Sequence, residues 1–219
     1  MDEEKGTGRI EAFSDGVFAV AITLLVLSFQ PPPNTESGDL LLWFRDQLPN
    51  FFAFVTSFAT IGVMWINHHR LFTHIKKADT VLMALNLLLL LVIVFIPYPT
   101  DLVARYILLP NQHVAVLLYC GTSIVMAVAF SLLWRYAAKE NRLLGENVNQ
   151  REVQAITDQY RFGPLFYIVS FGLAFISAPA SMVVNLLLAV FFALPGRKPR
   201  KPAVASASTD SSNEISSLQ

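Results

Sequence analysis

The 219-residue chain is poor in charge. Asp, Glu, Lys and Arg together make up 15% of it, where a soluble domain carries about 25%. It has one cysteine, Cys120, so no internal disulfide can form, and its place in an apolar run reads as a small packing residue. Formal net charge is zero, so the overall balance names neither an acidic nor a basic partner. No nucleophile elbow or phosphate loop occurs, which argues against an enzyme. Metal-ligand spacing is missing too: His68 and His69 are adjacent, whereas a helical zinc pair needs i, i+4 spacing to bind from one face. His74 follows a turn later and His113 stands alone near a loop. No metal and no cofactor are expected.

What the chain has is apolar length. Hydrophobic residues make up 54% and the mean hydropathy is +0.50, and the apolar residues come in blocks, as membrane spans do. The first block, Arg9 to Phe29, organises the rest. From Ile10 it runs 20 residues, enough at about 1.5 Å per residue to cross a hydrocarbon core of about 30 Å. It has neither a basic leader nor a small-residue cleavage site before Pro31-Pro32-Pro33, so it reads as a mature helix and not a signal. Its first third carries Arg9, Glu11 and Asp15. A helix that only anchors has no use for a carboxylate inside its span, because an ionisable group there must face protein or a water path.

Five further spans follow. The prolines and residues 34–39 make a loop, and residues 39–48 an amphipathic lead-in with Leu40, Leu41, Phe44 and Leu48 at helical spacing. Helix two is expected from about Phe51 to Ile66, ending in the polar cluster Asn67, His68, His69, Arg70. Helix three covers about Val81 to Ile96 and is stopped by Pro97 and Pro99. Helix four covers about Val114 to Trp134. Residues 135–161 hold no long apolar run and read as surface helix and loop in water. Helix five runs from about Pro164 to Ile176 and, after the break at Pro179, helix six from about Ala180 to Leu194. The expected fold is all-α, with six transmembrane helices per chain. Its parts are a polar tail (1–8), a six-helix membrane domain (9–195) and a basic, then Ser-rich, disordered tail (196–219).

With the N-terminus inside, 14 of the 16 Lys and Arg fall on the cytoplasmic side and only Arg45 and Arg105 on the other. This obeys the positive-inside rule and puts both termini in the cytoplasm. The same topology brings distant polar residues to one depth: Arg9, Ser14 and Asp15 on helix one, Trp65, Asn67, His68 and His69 on helix two, and Asn86 on helix three. Water is scarce there and each polar group needs a partner, so a hydrogen-bonded network among these eight is expected.

Beyond Asp15, helix one shows Phe13, Val17, Val20, Leu24 and Leu27 at i, i+3, i+4 spacing, with Thr23 beside them. Taken alone, such a stripe suits packing against a neighbouring helix. However, Arg9-x-x-x-Phe13-Ser14-Asp15, running straight into Gly16 to Leu24, resembles the RxxxFSD signature of the TMEM175 family in its prokaryotic form. The resemblance covers roughly residues 5–195.

The resemblance implies a homotetrameric, potassium-permeable channel without the TVGYG filter, its pore lined by the first helix of each subunit. It implies a constriction at Val20, Leu24 and Leu27, and assigns potassium preference to the Thr23 hydroxyl. Isoleucine is usual at the first constriction position, so Val20 is a departure that widens that ring or leaves Leu24 and Leu27 tighter. Four copies of such an apolar side chain form a ring that can gate by dewetting. With no charged ring at the narrowest point, modest potassium-over-sodium selectivity is expected, in a multi-pass protein of a bacterial or archaeal cell membrane. Lipid and potassium ions would be its partners, and nucleic acid would not.

A proton- or ion-coupled transporter is the alternative. It would place carboxylates near the bilayer midplane, and helices three to six carry none within their apolar spans. A non-conducting scaffold would bury the helix-one stripe between subunits.

Overall fold

The computed structural model describes residues 6–29, 40–145 and 148–193. The prolines at 31–33, the loop at 34–39 and the C-terminal tail expected at 196–219 lie outside the described residues, as does most of the N-terminal tail. Among the described residues the fold is all-α, with one isolated antiparallel bridge between Ile75 and Leu144.

Helix α1 (Gly8–Leu24) tightens into a 3-10 turn at Leu25–Ser28. A short helix α2 (Leu40–Asp46) precedes α3 (Leu48–His74), which carries Pro49 in its first turn, where a missing N–H costs nothing. α4 (Thr80–Phe95) starts at Asp79, whose Oδ1 accepts the Leu82 N–H at 2.8 Å and caps the helix. α5 (Pro97–Tyr106), α6 (Gln112–Ala138), α7 (Gln150–Ala174) and α8 (Ala178–Ala193) complete the chain.

Three boundaries differ from the sequence expectation. The second span does not stop at the polar cluster: α3 runs on through Asn67 to His74 because Asn67, His68, Leu71 and Phe72 keep presenting one buried face. The third helix ends close to where expected, α4 stopping at Phe95 before Pro97, but the apolar stretch does not end there, since the chain resumes at once as α5 and runs to Tyr106. Proline fits the first turn of a new helix while interrupting the old one. Within residues 135–161, expected as surface helix and loop, the helical part is not separate from the fifth span: α7 begins at Gln150, capped by Asn149, and runs on through Pro164. The charged half of α7 still has a packing edge: Trp134 donates its indole N–H to Thr157 Oγ1 at 2.9 Å, and Tyr160 stacks on Phe130 with 6.0 Å between ring centroids.

Among the described residues four segments are long and apolar enough to cross a membrane: Gly8–Ser28, Leu48–His74, Thr80–Tyr106 and Gln112–Asn141. Ala178–Ala193 is a shorter apolar helix. The protein is a multi-pass membrane protein.

The helices run alternately up and down, so the start of α1, the end of α3, the start of α4, the end of α6 and the start of α7 share one end of the bundle, here termed the basic end. The Lys76 N–H donates to Leu143 O at 2.8 Å and ties the α3–α4 turn to the chain after α6. The largest buried cluster fills this half around Phe72, Phe130, Leu133 and Trp134. A second, around Val116, Tyr119 and Met182, fills the far end. α1 lies at the side of the bundle, packed on α3 and α4.

Candidate functional site: the free face of the first helix

α1 has two unlike faces. Ser14, Phe18, Ala21 and, in the 3-10 turn, Leu25 are buried at alternating steps of four and three residues, as one helical edge requires. The flank about 100° round from this edge is open: Phe13 is 57% exposed, Val20 56%, Leu24 37% and Leu27 69%. Val17, part of the same stripe by spacing, is only half exposed and packs against the core. A helix that is apolar on both faces and covered on one must meet lipid, another protein or a pore with the other.

Two details refine this face. Thr23 donates its hydroxyl proton to Val20 O at 2.8 Å. The hydroxyl oxygen then faces outward with its lone pairs uncommitted, as an acceptor only. Leu27 stands in the 3-10 turn and not in α-helix as its spacing suggested. Residues three apart eclipse in that geometry, so Leu24 and Leu27 stack more nearly in line than on an α-helix.

At the basic end, α1 is tied down by polar contacts. Trp65 donates its indole N–H to Asp15 Oδ1 at 2.8 Å. Asn86 spans two helices: its Oδ1 meets His68 Nε2 at 2.9 Å, and its Nδ2 donates to Ser14 Oγ at 2.9 Å. Ser14 donates its own hydroxyl to Ile10 O at 2.8 Å. Since Asn86 Oδ1 can only accept, His68 carries a proton on Nε2. The His68 ring also stacks on Phe72, with 4.5 Å between centroids.

Of the eight residues expected in one network, five thus form two separate groups, Asp15–Trp65 and Ser14–Asn86–His68. Three stand outside. Asn67 is buried with its Oδ1 unpaired among the described residues, because its side chain leaves α3 about 100° away from that of His68. His69 is exposed and stacks on Trp65 at 6.3 Å. Arg9 is exposed, without a hydrogen bond or ion pair among the described residues.

An open groove of about 340 Å³ runs between α1 and α3, walled by Asp15, Ala19, Ile22, Gly62 and Trp65. Among the described residues no three His, Cys, Asp or Glu side chains come close enough to hold a metal.

Sequence reasoning missed two polar clusters. Ser57, Thr100 and Tyr119 join α3, α5 and α6 in the buried interior. Asn185 on α8 donates to Ser170 Oγ at 2.7 Å and to Cys120 Sγ at 3.3 Å. Isolated hydroxyls in apolar runs give no sequence signal, since most satisfy themselves on their own helix's carbonyls. Only the helix pairing shows which ones meet.

The family model described as "Endosomal/lysosomal potassium channel TMEM175" matches residues 9–97, the part that carries the free face and both polar groups. A protein of Chamaesiphon minutus described as a potassium channel is 47% identical over 194 residues, covering 88% of this chain and 96% of that one. Another from Streptomyces collinus, also described as a potassium channel, is 40% identical over 187 residues, covering 85% and 91%. Among solved structures, the crystal structure of a lysosomal potassium-selective channel TMEM175 homolog from Chamaesiphon minutus superposes with a TM-score of 0.78 at 46% identity, over 85% of this chain and 96% of that one.

Proposed function

Because the chain belongs to the TMEM175 family, we propose that four copies of it enclose a potassium-selective cation pore lined by the free face of α1. The observation that carries this reading is the open stripe Phe13, Val20, Leu24 and Leu27, which the subunit's own helices leave uncovered. Fourfold repetition turns each residue into a ring. Val20, Leu24 and Leu27 form apolar rings narrow enough to expel water when the helices close in. Thr23 supplies a ring of hydroxyl oxygens, each with its O–H turned to Val20 O. Four acceptors around an axis replace part of a cation's hydration shell without a fixed charge. That arrangement fits modest potassium-over-sodium discrimination.

In this reading the basic end faces the cytoplasm, six spans cross a bacterial or archaeal cell membrane, and α7 and α8 supply the last two. Asp15 then lies one to two turns inside the cytoplasmic face. Its bond to Trp65, on the wall of the α1–α3 groove, fixes α1 where it enters the membrane. Asp101 at the opposite end is held by Arg105 at 2.8 Å. Helices three to six carry no carboxylate near the middle of their apolar spans, where a coupled transporter needs one, so the channel reading is favoured.

The test is potassium flux from liposomes under a gradient, comparing the unaltered protein with Leu24→Ala and Thr23→Ala. Flux is expected to rise in the Leu24 variant, and potassium-over-sodium preference to fall in the Thr23 variant. Absence of flux above empty liposomes in all three folded, tetrameric proteins would overturn the proposal.

A further inference from the structure

The two ends of α1 are held by different elements. At the basic end Ser14 is bonded to Asn86 of α4. At the far end the 3-10 turn Leu25–Ser28 packs on α3 and on α5. Between α4 and α5 the chain is broken at Ile96, where Pro97 and Pro99 each remove a backbone donor. α5 is not simply a continuation of α4, because it has its own attachment. Ser57 donates to Thr100 Oγ1 at 2.7 Å, Tyr119 Oη lies 3.2 Å from Ser57 Oγ, and all three are buried. Thr100 also donates to Ile96 O at 2.8 Å, binding the cluster to the break itself. A narrow cleft lined by Thr60, Ile96, Pro99, Tyr119, Thr122 and Ser123 borders the hinge.

We infer that α5 is a lever that sets the outer end of the pore helix: pivoting at Ile96, it shifts the Leu25–Ser28 turn between 3-10 and α geometry while the basic end stays fixed. This inference rests on the pore reading above. A 3-10 turn that closes a helix C-terminus, as Leu25–Ser28 closes α1, differs from α geometry by a one-residue change of hydrogen-bond partner. Its conversion to α-helix turns each residue back by about 20° and shortens the rise by about 0.5 Å. At Leu27, the third residue of the turn, the change amounts to about 60° and ~1.5 Å, enough to swing that side chain off the pore axis. Val20, four residues before the end of α1, does not move with it. The Ser57–Thr100 bond is the latch, since it holds α5 against α3 independently of α4.

The experiment uses single cysteines in the full-length protein in liposomes, with Cys120 left in place because it is fully buried. Leu27→Cys and Val20→Cys are each treated with a methanethiosulfonate reagent, and the rate at which flux is altered is read. Each is then combined with Thr100→Val, which removes the latch at nearly constant volume, or with Thr100→Ser, which keeps the hydroxyl. In the Thr100→Val background the Leu27→Cys rate is expected to rise about fivefold, the worth of one hydrogen bond, while the Val20→Cys rate stays unchanged. Thr100→Ser is expected to restore the original rate. Equal changes at both thiols, or none at either, would overturn the lever. A reagent that never alters flux at either thiol would instead overturn the placement of the pore on α1, and the lever with it.

Discussion

Trp65 and Asp15, fifty residues apart, meet at 2.8 Å through an indole N–H and a carboxylate oxygen. A carboxylate this deep in an apolar span needs such a partner, because the surrounding lipid offers none. Replacing Trp65 with Phe keeps the ring but removes the donor. We expect a loss of about 1.5–3 kcal/mol, the range for a hydrogen bond to a charged group. Thermal unfolding of detergent-purified protein measures it, and Asp15→Asn, which keeps an acceptor, should lose less.

Asn86 serves His68 and Ser14 together. Asn86→Leu strands both in a buried site, which should destabilise the fold by about 2–3 kcal/mol. Asn67→Leu is the contrast. Its carbonyl oxygen is unpaired, so an apolar replacement of similar size should be neutral or slightly stabilising in the same assay.

Val20 is the smaller side chain at a position where the family resemblance implies isoleucine. Val20→Ile adds one methylene to each of the four side chains in that ring, narrowing the constriction. Unitary potassium conductance should fall, with reversal potential unchanged because Thr23 is untouched. Single-channel recording in planar bilayers reads both quantities, and a shifted reversal potential would move selectivity away from Thr23.

Asp79 sits outside the spans, at the turn between α3 and α4. Partial burial pushes its carboxyl up, but the Tyr136 hydroxyl at 2.6 Å, the Leu82 N–H and the nearby Arg142 outweigh that and hold it below the usual carboxylate value. A group whose folded value is depressed contributes its full stability above the unfolded value and loses it as pH falls through the folded one. Stability should therefore drop below about pH 4. Asp79→Asn should be less stable at neutral pH and show a shallower acid slope in melting temperature against pH.

The sequence by itself determined the class of the molecule and singled out its first helix. Low charge and blocks of apolar residues leave a membrane as the only solvent for this chain. The FSD stretch and the stripe after it are local features, so they are legible without coordinates. The meeting of Asp15 with Trp65 followed from topology, since antiparallel helices bring their shared ends to one depth. Tertiary packing decided the rest. Whether α3 stops at Asn67 or runs to His74 depends on a buried face that α4, α6 and α7 complete. Pro97 reads as a stop in the sequence and acts as a break between two helices, because α5 finds its own partners on α3 and α6. Nothing local separates Asn67 from His68: the 100° between them places His68 against Asn86 and leaves the Asn67 carbonyl oxygen unpaired. Period and polarity along one chain name the residues that need partners, and only the packing of the helices around them says which partners they find.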